Sequence, residues 1–294
     1  MREPDWKTIE LENSGLFISS VRYLGEGWTS RAYLINTELV FRFPKHREDW
    51  PELQREIAFL AFAAERLPTS VPQYLRVIPD SAAAAAGYAV YRYLSGQELK
   101  IRALDHDRLA VVADSLAEFL LTLHGLRTEL ELSSLLPAED TRSLAEDYLV
   151  RADREIVSKL EQSDARALRK LFEEYLNEPQ SFLFRPSVIH ADLSGEHILV
   201  EDGSVVGVID FGDVSWGDPD YDFAYLFLDF GHSFVQDVAR RYGHTDFEGL
   251  QNKVRYFAVV DQIGTILDGA GRALKGQQEA AWRRLVTLLR NEDS

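Results

Sequence analysis

The stretch Ser187–Asp213, SVIHADLSGEHILVEDGSVVGVIDFGD, decides how the rest of the chain is read. Two of its acids, Asp192 and Asp210, stand at the edges of apolar segments. Carboxylates in such places call for an explanation. Phosphoryl transfer supplies one, because it needs one carboxylate to orient an acceptor hydroxyl and another to hold magnesium against nucleotide phosphates. The order H-x-D-x-x-x-x-[N/H] followed by D-F-G is met by His190, Asp192, His197, Asp210, Phe211 and Gly212. Both halves in sequence make a far more specific signal than any dipeptide, and outweigh the plain alternative of solvated turn acids.

Upstream, Leu24–Tyr33 reads LGEGWTSRAY between two predicted strands. Gly25 and Gly27 would let the backbone approach nucleotide phosphates, with Ser30 closing the pattern. Alone, G-x-G-x-x-S is explained equally well by a hairpin turn. It is not a Walker A loop, since no G-K-[ST] follows, and not a Rossmann fingerprint, since a strand comes next. Its weight comes from standing one strand before Arg42 and one helix before Glu56.

Around these motifs the chain changes texture once. VRYLGEG, RAYLIN and ELVFRF are short, β-branched and aromatic, and read as a β-meander. Pro51–Leu67 has apolar residues at helical spacing, and PQYLRVIP and YAVYRYL read as two more strands joined by a surface turn through Ala82–Ala86. After Ser95-Gly96 long amphipathic helices take over, the clearest at Asp105–Leu126, then about Thr141–Asn177, and from about Tyr221 onward. The expected fold is α+β and two-lobed, with residues 1–94 as an N-terminal antiparallel sheet with one main helix and residues 95–294 as a larger, mostly helical lobe.

Composition narrows the function further. The chain has 294 residues with 48 acidic against 32 basic, a formal charge of −16. That field repels phosphate backbones and anionic lipids, so neither nucleic acid nor a membrane is an expected partner. A cationic small molecule would be attracted, although acidity for solubility is the plainer reading until a site appears. The absence of cysteine excludes disulfides, zinc thiolates and thiol nucleophiles. MREPDWKTIELENS has no apolar core of signal-peptide length, and no run approaches the length of a membrane span, so a cytoplasmic monomer is expected.

The motifs GEGWTSRAYLI, VFRFPKH, the REI of the first long helix, YRYLSGQEL, HADLSGEHIL, IDFGD and GDPDYD, in that order, resemble the aminoglycoside phosphotransferase family of protein-kinase-like small-molecule kinases. The similarity is greatest to the branch that modifies the 2''-hydroxyl. The resemblance implies a two-lobed protein-kinase-like fold, Asp192 as the catalytic acid, Asp210 as the magnesium ligand, and Glu56 as the helix acid that pairs with a strand cation. It further implies GTP or ATP as donor and an aminoglycoside as acceptor.

Two positions depart from the pattern. The strand lysine is replaced by Arg42, which keeps the charge with a different geometry, while Lys45 has the wrong parity for the same face. His197 stands where many kinases place an asparagine; since Mg²⁺ prefers oxygen, a metal-supporting and a structural role both remain open. His190 is expected to prop the catalytic loop, and His124 to pack or to sit as a charge at a helix C-terminus. Asp218 and Asp222 are expected to cap the next helix and brace the loop. The few residues from D-F-G to Gly217-Asp218-Pro219 leave no room for a protein-kinase activation segment. Tyr91 takes the place of a gatekeeper behind the purine, with Arg92, Tyr93 and Leu94 as the base-binding linker, which favours GTP over ATP. Acceptor contacts are expected from Asp261, Gln262 and Asp268, although helix-surface polarity also explains these three. The rivals are a kinase for a macrolide or a small metabolite, and a nucleotide-binding protein without catalysis.

Overall fold

The computed structural model describes residues 3–126, 136–138, 140–269 and 276–290. Five antiparallel strands form the N-terminal sheet in the order β1-β2-β3-β5-β4: β1 (Val21–Glu26), β2 (Ser30–Ile35), β3 (Leu39–Pro44), β4 (Tyr74–Ile78) and β5 (Tyr88–Arg92). Alternation along β3 sets the two faces of the sheet. Phe41 and Phe43 turn outward with Tyr33, Tyr88 and Val90 to make a small aromatic core. Val40 and Arg42 turn to the other face, where Arg42 meets Glu56.

One element was not expected. Helix α1 (Trp6–Glu12) precedes the sheet, capped by Asp5, and buries Ile9 and packs Trp6 on that aromatic face. The predicted helix Pro51–Leu67 is α2 (Trp50–Ala63), shorter by one turn at its C-terminal end; Pro68 disfavours helix at Leu67.

The two short strands β6 (Gln97–Glu98) and β8 (Ile198–Glu201) pair, and β9 (Ser204–Val208) completes a three-stranded sheet. A second small sheet pairs β7 (Ser187–Ile189) with β10 (Ser215–Gly217). These strands fix the ends of both motif loops: residues 190–197 run from β7 to β8, and residues 209–214 from β9 to β10. Helix α3 (His106–Gly125) buries Val112, Leu116, Phe119 and Leu123 beneath them.

The Thr141–Asn177 region forms two helices, α4 (Thr141–Glu155) and α5 (Gln162–Asn177). Then come α6 (Asp222–Phe230), α7 (His232–Tyr242), α8 (Phe247–Leu267) and α9 (Gln277–Arg290). Gly231, at φ +80°, makes the turn between α6 and α7 that a side chain would strain. The Phe211 ring lies 5.8 Å from Phe59 of α2, 6.5 Å from Phe119 of α3 and 4.5 Å from His190. One residue of the D-F-G motif thus packs α2 against the motif loop and the main helix below it.

Candidate active site

Arg42 is the centre of the charged network. Its Nε donates to Ser30 Oγ at 2.9 Å, Nη1 to Glu56 at 2.8 Å and Nη2 to Asp210 Oδ1 at 2.7 Å. Tyr74 adds a hydroxyl to Glu56 Oε1 at 3.0 Å. Glu56 is fully buried, and burial pushes its carboxyl up to about 7 against the pull of Arg42. Lys45, as its parity requires, faces elsewhere and approaches Glu26 at 3.5 Å.

Asp210 is held down to about 2: burial raises it, but the charge and hydrogen bond of Arg42 pull it down. His197 Nδ1 donates to the Asp192 carbonyl at 2.8 Å, which leaves Nε2 as the lone-pair nitrogen in the neutral ring, 3.6 Å from Asp210 Oδ2. Two acceptors facing each other call for a proton or a cation between them. The pair of acceptors would therefore suit a divalent cation. Among the described residues no group of three or more histidine and carboxylate side chains could hold a metal alone.

Asp192 is a quarter exposed, with Oδ2 3.4 Å from His197 Nδ1. Burial pushes its carboxyl well up, and Asp213, Asp210, Asp261 and Glu196 add to the rise. Tyr225 donates to Asp261 Oδ1 at 2.6 Å. Asp261 of α8 therefore reaches the neighbourhood of Asp192. Gln262 is buried and turns its amide to Asp261 Oδ2 at 2.7 Å, while Asp268 is exposed and bound to Arg151 and Tyr148. The expected acceptor set Asp261, Gln262 and Asp268 is not brought together as three facing groups: Asp268 pairs with α4.

The loop itself is held from below. Asp222 accepts from the amides of His190 (2.9 Å) and Ala191 (2.8 Å), and from His124 Nε2 at 3.0 Å, while His124 Nδ1 meets the Tyr242 hydroxyl at 3.0 Å. The link from His124 to the loop is a different role from packing or helix charge. His190 is fully buried, and burial lowers it to about 4; its Nε2 donates to Ile209 O and its Nδ1 accepts from the Asp192 amide. Ala191 sits at φ +64° and Asp210 at φ +63°, conformations costly for a side chain and maintained by these bonds. Gly195 donates to Asp229 Oδ2 at 2.8 Å, and a Cβ there would lie 2.8 Å from Leu99 O. Asp218 and Asp220 share Lys253 at 2.6 and 2.8 Å.

Asp222→Ala strands one buried and one half-buried amide under a strained loop, so unfolding free energy in urea should fall by about 3 kcal/mol. A loss under about 1 kcal/mol would show that Asp222 is not the brace.

A sequence model of the Phosphotransferase enzyme family matches residues 20–256. The chain belongs to that family. Membership makes it a phosphotransferase of the aminoglycoside-kinase type, acting on hydroxyl groups. Solved structures share the fold along almost the whole chain. The GDP complex of aminoglycoside 2'-phosphotransferase-IIIa is 28% identical, with a TM-score of 0.90 and 97% of each chain covered. The GDP and kanamycin complex of APH(2")-IIIa is 29% identical, with a TM-score of 0.90 and 98% of each chain covered. A macrolide 2'-phosphotransferase of Brachybacterium faecium, at 19% identity, TM-score 0.74 and coverage of 96% of this chain and 97% of that one, shares the fold.

Sequence reasoning missed several members of this candidate site. Tyr74, Tyr225, Asp229 and the His124 link carry no local motif. Their partners lie far away in the chain, as with His124 and Asp222, 98 residues apart. Among the described residues no helix is long and apolar enough to cross a membrane.

Proposed function

We propose that the protein transfers the γ-phosphoryl group of GTP, with ATP as the poorer donor, to a hydroxyl of a cationic aminoglycoside. Residues 1–94 bind the nucleotide and residues 95–294 bind the acceptor, in a cytoplasmic monomer. The observation that carries this reading is that Asp192, raised first by burial, is also crowded by the carboxylates of Asp213, Asp210, Asp261 and Glu196. A polyamine acceptor relieves that repulsion, whereas a neutral hydroxyl compound does not. The structures of relatives at 28–29% identity that hold GDP, one with kanamycin, support both halves of the reading.

In this reading Asp192 accepts the hydroxyl proton as the acceptor oxygen bonds to the γ-phosphorus and the bridging bond to the β-phosphate breaks. Gly25, Gly27 and Ser30 line the phosphates, and Arg42, held by Glu56, balances their charge. Asp210 and His197 would hold magnesium, which neutralises phosphate charge when bound. His197 acts through Nε2, since Nδ1 is committed to the loop. Asp261 receives a cationic group of the acceptor, with Gln262 fixing its orientation; Asp268 is left to α4.

Donor choice follows from Tyr91. It is buried on the Arg42 face of the sheet, opposite Val40, with Tyr74 packed edge-on 5.2 Å away. Tyr93 N donates to Glu38 O, so in an extended chain the main-chain groups of Arg92 and Leu94 face the opposite edge, toward the base. The Tyr91 ring fills the space behind that edge and favours the shifted placement of guanine. Comparing kcat/KM should show GTP preferred, and Tyr91→Ala should recover ATP use by about tenfold or more. Equal values for both nucleotides in the parent would refute the role of Tyr91.

The reading as a whole is tested by a transfer screen with both nucleotides against aminoglycosides, macrolides and amino alcohols. Phosphorylated aminoglycoside is the expected product; transfer confined to macrolides or amino alcohols would overturn the acceptor assignment.

A further inference from the structure

Trp28 projects from the tip of the loop between β1 and β2, and its indole Nε1 donates to Gln277 Oε1 at 3.2 Å. Gln277 is the first residue of α9. The base of the loop is held within its own lobe: Lys45 N donates to Thr29 O, Thr29 Oγ1 to Glu52 at 2.7 Å, and Glu26 pairs with Arg31. Trp28 instead reaches across the cleft, and it is half-buried at a position an isolated hairpin would expose.

The helix it meets belongs to the acceptor side. α9 packs along α8, and Arg284 of α9 acts on Asp261 of α8. Asp261 in turn acts on Asp192. The indole therefore stands over the same helix pair that presents a carboxylate to the catalytic acid. An indole offers a large flat apolar face, and its ring attracts ammonium groups.

We propose that Trp28, tied to Gln277, is an acceptor-specificity residue that closes the acceptor side of the cleft. The acceptor lies between the indole and the Asp192 and Asp261 carboxylates. Closure also keeps water from the γ-phosphorus, where attack by a water oxygen would break the same bridging bond and release GDP and inorganic phosphate. The identity of the acceptor rests on the aminoglycoside reading above; the exclusion of water does not.

The test uses the full chain with GTP, and kanamycin as acceptor probe. Trp28→Ala should raise the kanamycin KM by about tenfold while kcat falls less than about threefold and the GTP KM moves less than about twofold. The ratio of free phosphate to phosphorylated kanamycin should rise by about tenfold or more. Trp28→Phe keeps the ring and loses the donor, so it should match Gln277→Ala, and the double variant should lose no more than either. A Trp28→Ala enzyme with only its GTP KM raised, or an additive double variant, would overturn the proposal. A parent enzyme that leaves kanamycin unmodified would overturn the acceptor assignment; phosphate release with GTP alone then decides closure, and release unchanged in Trp28→Ala refutes it.

Discussion

Asp192→Asn is expected to lower kcat by about 10² to 10⁴ while nucleotide affinity stays within about twofold, the cost of losing a positioned proton acceptor. The geometry separates the two effects. The Asp192 carboxylate lies 3.4 Å from His197 and feels Asp261 of α8, whereas Arg42 of β3 is bound to Glu56 and Asp210. An asparagine is nearly isosteric, so the loop held by Asp222 should persist. It also removes one of several crowded negative charges, so the fold should become no less stable. Steady-state kinetics with saturating acceptor, paired with nucleotide titration by calorimetry, checks both. A kcat within about threefold of the parent would remove Asp192 from its role.

Asp210→Ala is expected to lower kcat/KM by at least about 10³, beyond the 10 to 100 typical of an outer-shell partner of a metal. Asp210 is the carboxylate held down to about 2, ionised at any working pH, and it carries a 2.7 Å bond from Arg42. Its loss removes the anionic oxygen a hard cation prefers and releases Arg42 from one of its two carboxylates. His197→Asn should keep most activity, because an amide can replace the Nδ1 donor bond to Asp192 O or supply an oxygen toward Asp210. Titrating GTP with and without magnesium separates the two variants: Asp210→Ala should lose the dependence on magnesium, and His197→Asn should retain it. Equal damage from both substitutions would show that position 197 is no interchangeable support.

Local patterns made much of this protein readable before any coordinates. The alternation along VFRFPK put Arg42 and Lys45 on opposite faces, because adjacent side chains on a strand face opposite sides, and Arg42 is the one that meets Glu56. The spacing of Leu109, Val112, Leu116, Phe119 and Leu123 marked the buried stripe of α3 by the helical period. The order of the HADLSGEHIL and IDFGD motifs placed two acids on neighbouring loops, since short strands flank both. These features depend on residues a few positions apart, where covalent geometry dictates which side chains share a face.

Tertiary structure alone decided the rest. Asp261 and Asp268 share a helical stripe, being seven residues apart, yet two turns separate them by about 10 Å along the axis. Packing puts the first near Tyr225 and Asp192, and gives the second to Arg151. Gln262, one step round the helix, falls into the core. Helix α1 escaped notice because seven residues carry too little periodicity to be told from a loop, and burial of Ile9 and Trp6 against the sheet stabilises it. His124 reaches Asp222 across 98 positions and Trp28 reaches Gln277 across 249. Such pairs leave no trace in any local window, because what brings them together is the packing of helices whose relative placement follows from the whole core, not from the residues in contact.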